Sequence, residues 1–246
     1  MENQIVDINV DVGEGIGNDA SLMPYMASCN IACGGHAGDY ETMKTVVRLA
    51  KKHHVKIGAH PSFPDRENFG RQPMDISCVS LFSSIKHQID NLISVLNEEH
   101  ATLRHIKPHG ALYNLAATDQ KIANVIVEVM KSIAIPIKLY VPYKSVIADL
   151  ALKNRLNINY EAFADRNYND DLTLVSRSKN NALIEDADQV YEHVFRMIAE
   201  QKVKTIQGTE IAIKADTFCV HGDNPKALNL IKNLSEKLAK KGIKIR

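Results

Sequence analysis

Residues 5–14 read IVDINVDVGE, and the reading of this stretch decides the architecture of the chain. Ile8, Val10 and Val12 alternate with Asp7, Asn9 and Asp11, the period of two that marks a β-strand. One reading is a half-exposed edge strand that turns its polar residues to water. The other is a buried strand whose C-terminal end carries Asp11 and Glu14 towards polar residues from other strands. Three polar side chains on one face need either solvent or partners.

Outward from this stretch, strand-like runs recur at 55–60, 103–109, 137–142, 156–163 and 218–222. Amphipathic helical runs separate them at 40–54, 78–99, 118–133, 143–154, 186–201 and 224–241, the last begun by Asn224 ahead of Pro225. Repeated β-then-α units without a long linker predict a parallel sheet. Six or more such units in 246 residues favour a single (β/α) barrel spanning 1–246 over an open sheet. The least regular stretches, 13–39 and 61–77, follow strands, where such barrels keep their chemistry.

Composition narrows the function. Thirty basic against twenty-nine acidic residues leave a net charge of +1, no field for gathering nucleic acid or anionic lipid. The expected partner is a small molecule. Cys29, Cys33, Cys78 and Cys219 form no CxxC pair and suit reduced thiols. The opening MENQIVDINVDV has acids where a secretory leader carries lysines, and no apolar run approaches the roughly 20 residues of a membrane span. The expectation is a cytoplasmic enzyme, with a homo-oligomer left open.

Nearly every strand run ends in an acid or a histidine: Asp11 and Glu14, His60, Lys107 with His109, Glu161 followed by Asp165 and Arg166, and His221 with Asp223. In a barrel these ends meet in one bowl. A single strand-end histidine is ordinarily structural, but three in the same placement point to a site. His53, His54, His87, His100, His105 and His193 lack that placement and read as structural or surface residues. Lys107 in a barrel interior requires a counterion, which Asp11 or Glu161 can supply. Arg71 and Arg166 can fork onto a substrate carboxylate or, as structural residues, bond loop carbonyls. In CNIACGGHAGDYE, 29–41, the glycines around His36 and Asp39 allow close backbone approach to a ligand, while Asp39 can equally cap the next helix. VGEGIGN fails the spacing of a dinucleotide fingerprint, and no GxxxxGK[ST] phosphate loop occurs.

Six segments taken together, DINVDVGEGIGND (7–19), LMPYMASCNIACGGHAGD (22–39), IGAHPSFPDRENFGRQPM (57–74), HIKPHGALYN (105–114), EAFADRNY (161–168) and CVHGDNP (219–225), resemble the LamB/YcsF family over nearly the whole chain. Gly35, Ser62 and Gln72 depart from the residues common in that family. The resemblance implies a seven-stranded, TIM-like barrel of the glycoside hydrolase/deacetylase type. It implies hydrolytic opening of the 5-oxoproline lactam to glutamate, coupled to ATP, with two further subunits, B and C. It also implies that Asp11, His60 and His109 hold a divalent metal such as Mg, Zn or Mn. On this reading Asp11 or Glu14 is the base, Lys107 stabilises an oxyanion or phosphate, and His109 or His221 donates a proton. His36, Asp39, Arg71, Asp165 and Arg166 contact substrate. The alternatives are a stand-alone metal-dependent deacetylase acting on an N-acyl sugar or amide, and a non-catalytic subunit that delivers the lactam.

Overall fold

The computed structural model describes residues 4–246. The chain runs β1 (Ile5–Val12), α1 (Asp19–Leu22), β2 (Ser28–Ala32), α2 (Tyr40–Lys52), β3 (Lys56–His60), α3 (Cys78–Glu98), β4 (Leu103–Ile106), α4 (Gly110–Ala116) and α5 (Gln120–Lys131). It continues through β5 (Lys138–Pro142), α6 (Val146–Lys153), β6 (Ile158–Phe163), α7 (Ala187–Glu200), β7 (Lys202–Lys204), β8 (Glu210–Ala212), β9 (Thr217–Val220), α8 (Ala227–Lys240) and β10 (Lys244–Ile245). Strands β1 to β6 pair in chain order and in parallel; β9 then joins β6 to β1 and closes a seven-stranded barrel. β7 and β8 form a separate antiparallel hairpin, and β10 extends the lower end of β1.

Closure settles the opening ambiguity. β1 is bonded on both sides, so it is no edge strand, and Asp7, Asn9 and Asp11 are all buried. Ile8, Val10 and Val12 face outward into the shell of helices, whose apolar stripes are exemplified by Met43, Val46, Val47 and Ala50 of α2. The barrel interior is polar and arranged in tiers. At the bottom, Ser28 and Thr217 both donate to Asp7 Oδ1, at 2.6 and 2.7 Å. Above them, Asn30 donates to Asn9 Oδ1 at 2.7 Å and its own Oδ1 lies 2.7 Å from His105 Nε2. The top tier is the candidate site. Pairing of this kind is what allows buried polar groups to persist at little cost.

Several expectations change. SCNIA, 28–32, is a strand rather than part of an irregular loop, and 110–116 forms an additional helix. The last helix starts at Ala227, not at Asn224; the Asn224 side chain instead accepts from Lys226 N at 2.9 Å in a turn ahead of it.

Candidate active site

The C-terminal ends of the strands open into a cavity of about 830 Å³. Asp11, His60, Lys107, His109, Glu161 and His221 reach it from five strands or the loops that follow them, and Arg71, Arg166 and Arg177 line it from loops. This is the bowl that strand-end placement implied.

Lys107 stands at its floor, almost wholly buried. Its Nζ lies 2.9 Å from Asp11 Oδ1, 3.0 Å from Glu161 Oε1 and 2.9 Å from Cys219 Sγ. Burial opposes the ammonium, but Asp11, Cys219 and Glu161 outweigh it and hold the Lys107 pKa well above that of a free lysine. Asp11 answers in kind: burial alone would raise its pKa, yet His60 and Lys107 keep it well below the usual carboxylate range. Both counterions expected for Lys107 are therefore engaged.

His221 and Asp165 make a second unit. The Asp165 carboxylate takes the His221 ring at Nδ1, 2.8 Å away, and the His221 backbone N–H at 3.2 Å. Asp165 is fully enclosed, and although burial alone would raise its pKa, His221 lowers it. With Nδ1 directed at a carboxylate, Nε2 is left without a protein partner, and the ring lines the cavity. Asp165 thus orients His221, with both oxygens committed.

Above Asp11, His60 Nδ1 donates to the Lys107 carbonyl at 2.7 Å, and His109 Nε2 donates to the Phe69 carbonyl at 3.0 Å. Carbonyls only accept, so both tautomers are fixed. Phe69 has a φ of +56°, the left-handed conformation uncommon for a bulky residue, and Gly70 follows at +64°. That turn aims the Phe69 carbonyl at His109. The bare nitrogens, His60 Nε2 and His109 Nδ1, then face each other at 2.9 Å. Glu14 Oε1 lies 3.6 Å from His109 Nδ1 and 3.0 Å from His36 Nε2. Burial, then Asp11 and Asp223, pushes the Glu14 carboxyl well above its usual range. Burial, then His60, holds His36 down to about 2, and burial, then His36, depresses His109 strongly.

Arg166 is buried and bonded by its guanidinium to the Val175 and Ala182 carbonyls, at 2.7 and 3.4 Å; burial, then Arg177, lowers its pKa to about 10. It has no carboxylate in ion-pair range among the described residues. Arg71 bonds Asp223, which Arg177 also approaches at 3.8 Å. Arg177 was not singled out from the sequence; its signal is a third arginine in a loop after a strand. Asp39 falls outside the main cavity: it caps α2 by accepting from Thr42 N at 2.8 Å. The structure supports the capping alternative there, not substrate contact. His36 sits behind the cavity wall, stacked on His109 with ring centres 3.7 Å apart. The Gly35 departure is compensated locally, because a Cβ there would lie 2.3 Å from Gln88 Oε1 and from Ser62 Oγ. Ser62 and Gln88 occupy that volume and bond each other through backbone and amide groups at 2.9 Å.

Fold and site define a parallel (β/α) barrel with a buried histidine–carboxylate centre and a cation-lined mouth. The chain belongs to the LamB/YcsF family, whose pattern matches residues 6–246. It is 41% identical over 240 residues to a 5-oxoprolinase subunit of Haemophilus influenzae (strain PittEE), covering 98% of each chain. A Pyrococcus abyssi protein of the same name is 39% identical over 245 residues, with 98% of this chain and 96% of that one covered. Among solved structures, the lactam utilization protein of Thermus thermophilus superposes with a TM-score of 0.92 at 36% identity, over 100% of this chain and 99% of that one. A family 4 carbohydrate esterase from Streptomyces lividans, at 12% identity and a TM-score of 0.50, shares the fold alone.

Proposed function

We propose that this chain is the lactam-opening subunit of an ATP-dependent 5-oxoprolinase, working with subunits B and C in the cytoplasm. The observation that carries the reading is full-length similarity to 5-oxoprolinase subunits, on a barrel whose mouth holds a base, a buried cation and arginines. The 5-oxoproline carboxylate is met by the guanidinium N–H groups that Arg166 does not spend on the Val175 and Ala182 carbonyls, and by Arg71, which exchanges Asp223 for it. The ring carbonyl turns towards Lys107, whose ammonium counters charge developing on oxygen. His221, oriented by Asp165, moves the proton between the attacking water and the departing ring nitrogen. His109 and Asp11 form the wall that excludes bulk water, with Glu14 behind His109.

A lactam is an unactivated amide, so ATP enters the reading as the source of a phosphoryl group on the carbonyl oxygen, which makes the ring carbon easier for water to attack. A divalent metal at the histidine cluster would polarise that oxygen. The cluster fits such an ion, because two bare imidazole nitrogens converge there with a carboxylate. The test follows glutamate and ADP from 5-oxoproline and ATP, with this chain alone and then with subunits B and C. Coupled formation only in the full mixture is expected. Formation of neither product in any mixture of folded subunits would overturn the proposal and favour an ATP-independent deacetylase.

A further inference from the structure

We infer that the barrel holds one divalent transition-metal ion through Glu14, His36, His60 and His109, and that Asp11 is not a primary ligand. This goes beyond the set of Asp11, His60 and His109 implied by resemblance. It stands apart from the lactam reading, since it concerns ion binding by the chain alone.

His60 and His109 each spend one ring N–H on a backbone carbonyl and turn their other ring nitrogens to each other at 2.9 Å. Two ring lone pairs at that distance repel, so a cation or a proton has to lie between them. His36, 3% exposed, adds a third imidazole, whose Nε2 lies 3.0 Å from Glu14 Oε1. One donor atom from each of the four residues lies within 4.8 Å of the others, and all four side chains are buried. Nitrogen and oxygen ligands at roughly 2.0–2.1 Å from a tetrahedral ion stand about 3.4 Å apart. The contacts of 2.9, 3.0 and 3.6 Å bracket that edge.

The surroundings have the form of a metal site. The carbonyls of Lys107 and Phe69 fix the ligand tautomers from behind, the role of outer partners in bound centres. Three imidazoles and one carboxylate suit zinc, cobalt or another first-row ion rather than magnesium or calcium. Asp11 stands beside this set rather than in it: its Oδ1 accepts from Asn30 at 2.7 Å and from Lys107 at 2.9 Å, and its Oδ2 approaches one member, His60 Nε2, at 3.4 Å, without joining the group whose donor atoms all lie within 4.8 Å of one another. The lysine ammonium already occupies the cation position beside it.

The experiment strips the full chain with chelator, dialyses it against Zn²⁺ or Co²⁺, and measures bound metal per chain together with the visible spectrum of the cobalt form. One ion per chain, with the intense absorption of a tetrahedral centre, is expected. Glu14→Gln and His36→Ala should each weaken binding on the order of tenfold or more, whereas Asp11→Asn should bind as the unaltered chain does. Circular dichroism checks that each variant is folded; Glu14→Gln, which keeps the side-chain shape, carries the test if His36→Ala does not fold. Folded, unaltered chain that retains no ion would overturn the inference. So would loss of the ion in Asp11→Asn with retention in Glu14→Gln.

Discussion

Buried charge is decided residue by residue, and Lys107 is the clearest instance. Its replacement by methionine would leave Asp11 and Glu161 enclosed without their cation. Breaking such a pair from one side costs about 3–5 kcal/mol, so Lys107→Met should lower denaturant stability by that much; a change below about 1 kcal/mol would show that the carboxylates relax to water. Asp165 is a positioning residue for His221. Asp165→Asn keeps the volume but can stabilise the wrong tautomer, and the expected result is a fall in kcat of about 10²–10⁴ with KM little altered. Steady-state kinetics of the reconstituted complex separate the two constants. Histidines away from the proposed ion centre set a pH dependence. Burial, ahead of any charge, holds His105 to about 3 and His193 to about 4. Unfolded, both titrate near 6.5. Below that pH the unfolded chain takes up protons that the folded chain refuses, so the stability from these groups is full above about 6.5 and drains away towards the folded values. Each group contributes up to about 1.4 kcal/mol per pH unit. Melts of metal-stripped protein from neutral pH towards pH 5 should show a steady decline, and a flat profile would contradict the buried neutral rings.

At the level of elements, the alternation in β1 was legible because period two survives whichever face is polar, and strand-end histidines announced the bowl. The face towards which β1 turned its polar side was not legible: only closure of β9 onto β1 makes that face an interior. β2 escaped notice because SCNIA is short, lacks a regular apolar alternation and runs straight into glycines. The four-residue convergence of Glu14, His36, His60 and His109 was hidden for the same reason, since β2 is what delivers His36 to the site. Gly58 on β3 illustrates how elements fit. A Cβ there would lie 2.1 Å from His105 Nε2, so the missing side chain is what lets the β4 histidine reach Asn30 on β2. Gly58→Ala should cost about 1–3 kcal/mol by overpacking, seen as a lowered unfolding midpoint; an unchanged midpoint would mean that the His105 ring has another place to go.

For the whole molecule, the barrel gathers residues more than 200 positions apart onto one face, as Asp11 and His221 illustrate. Near-neutral charge and the lack, among the described residues, of a helix long and apolar enough to cross a membrane direct attention to that face. Its cavity has charged residues on several sides and one histidine with a free, oriented nitrogen. Under the proposed function, lactam opening happens there. The most direct measurement is the rate of glutamate formation from 5-oxoproline by the reconstituted complex carrying His221→Ala, with folding and assembly checked in parallel. A fall of at least about a hundredfold is expected from loss of the positioned proton carrier; a rate equal to that of the unaltered complex would place the chemistry elsewhere.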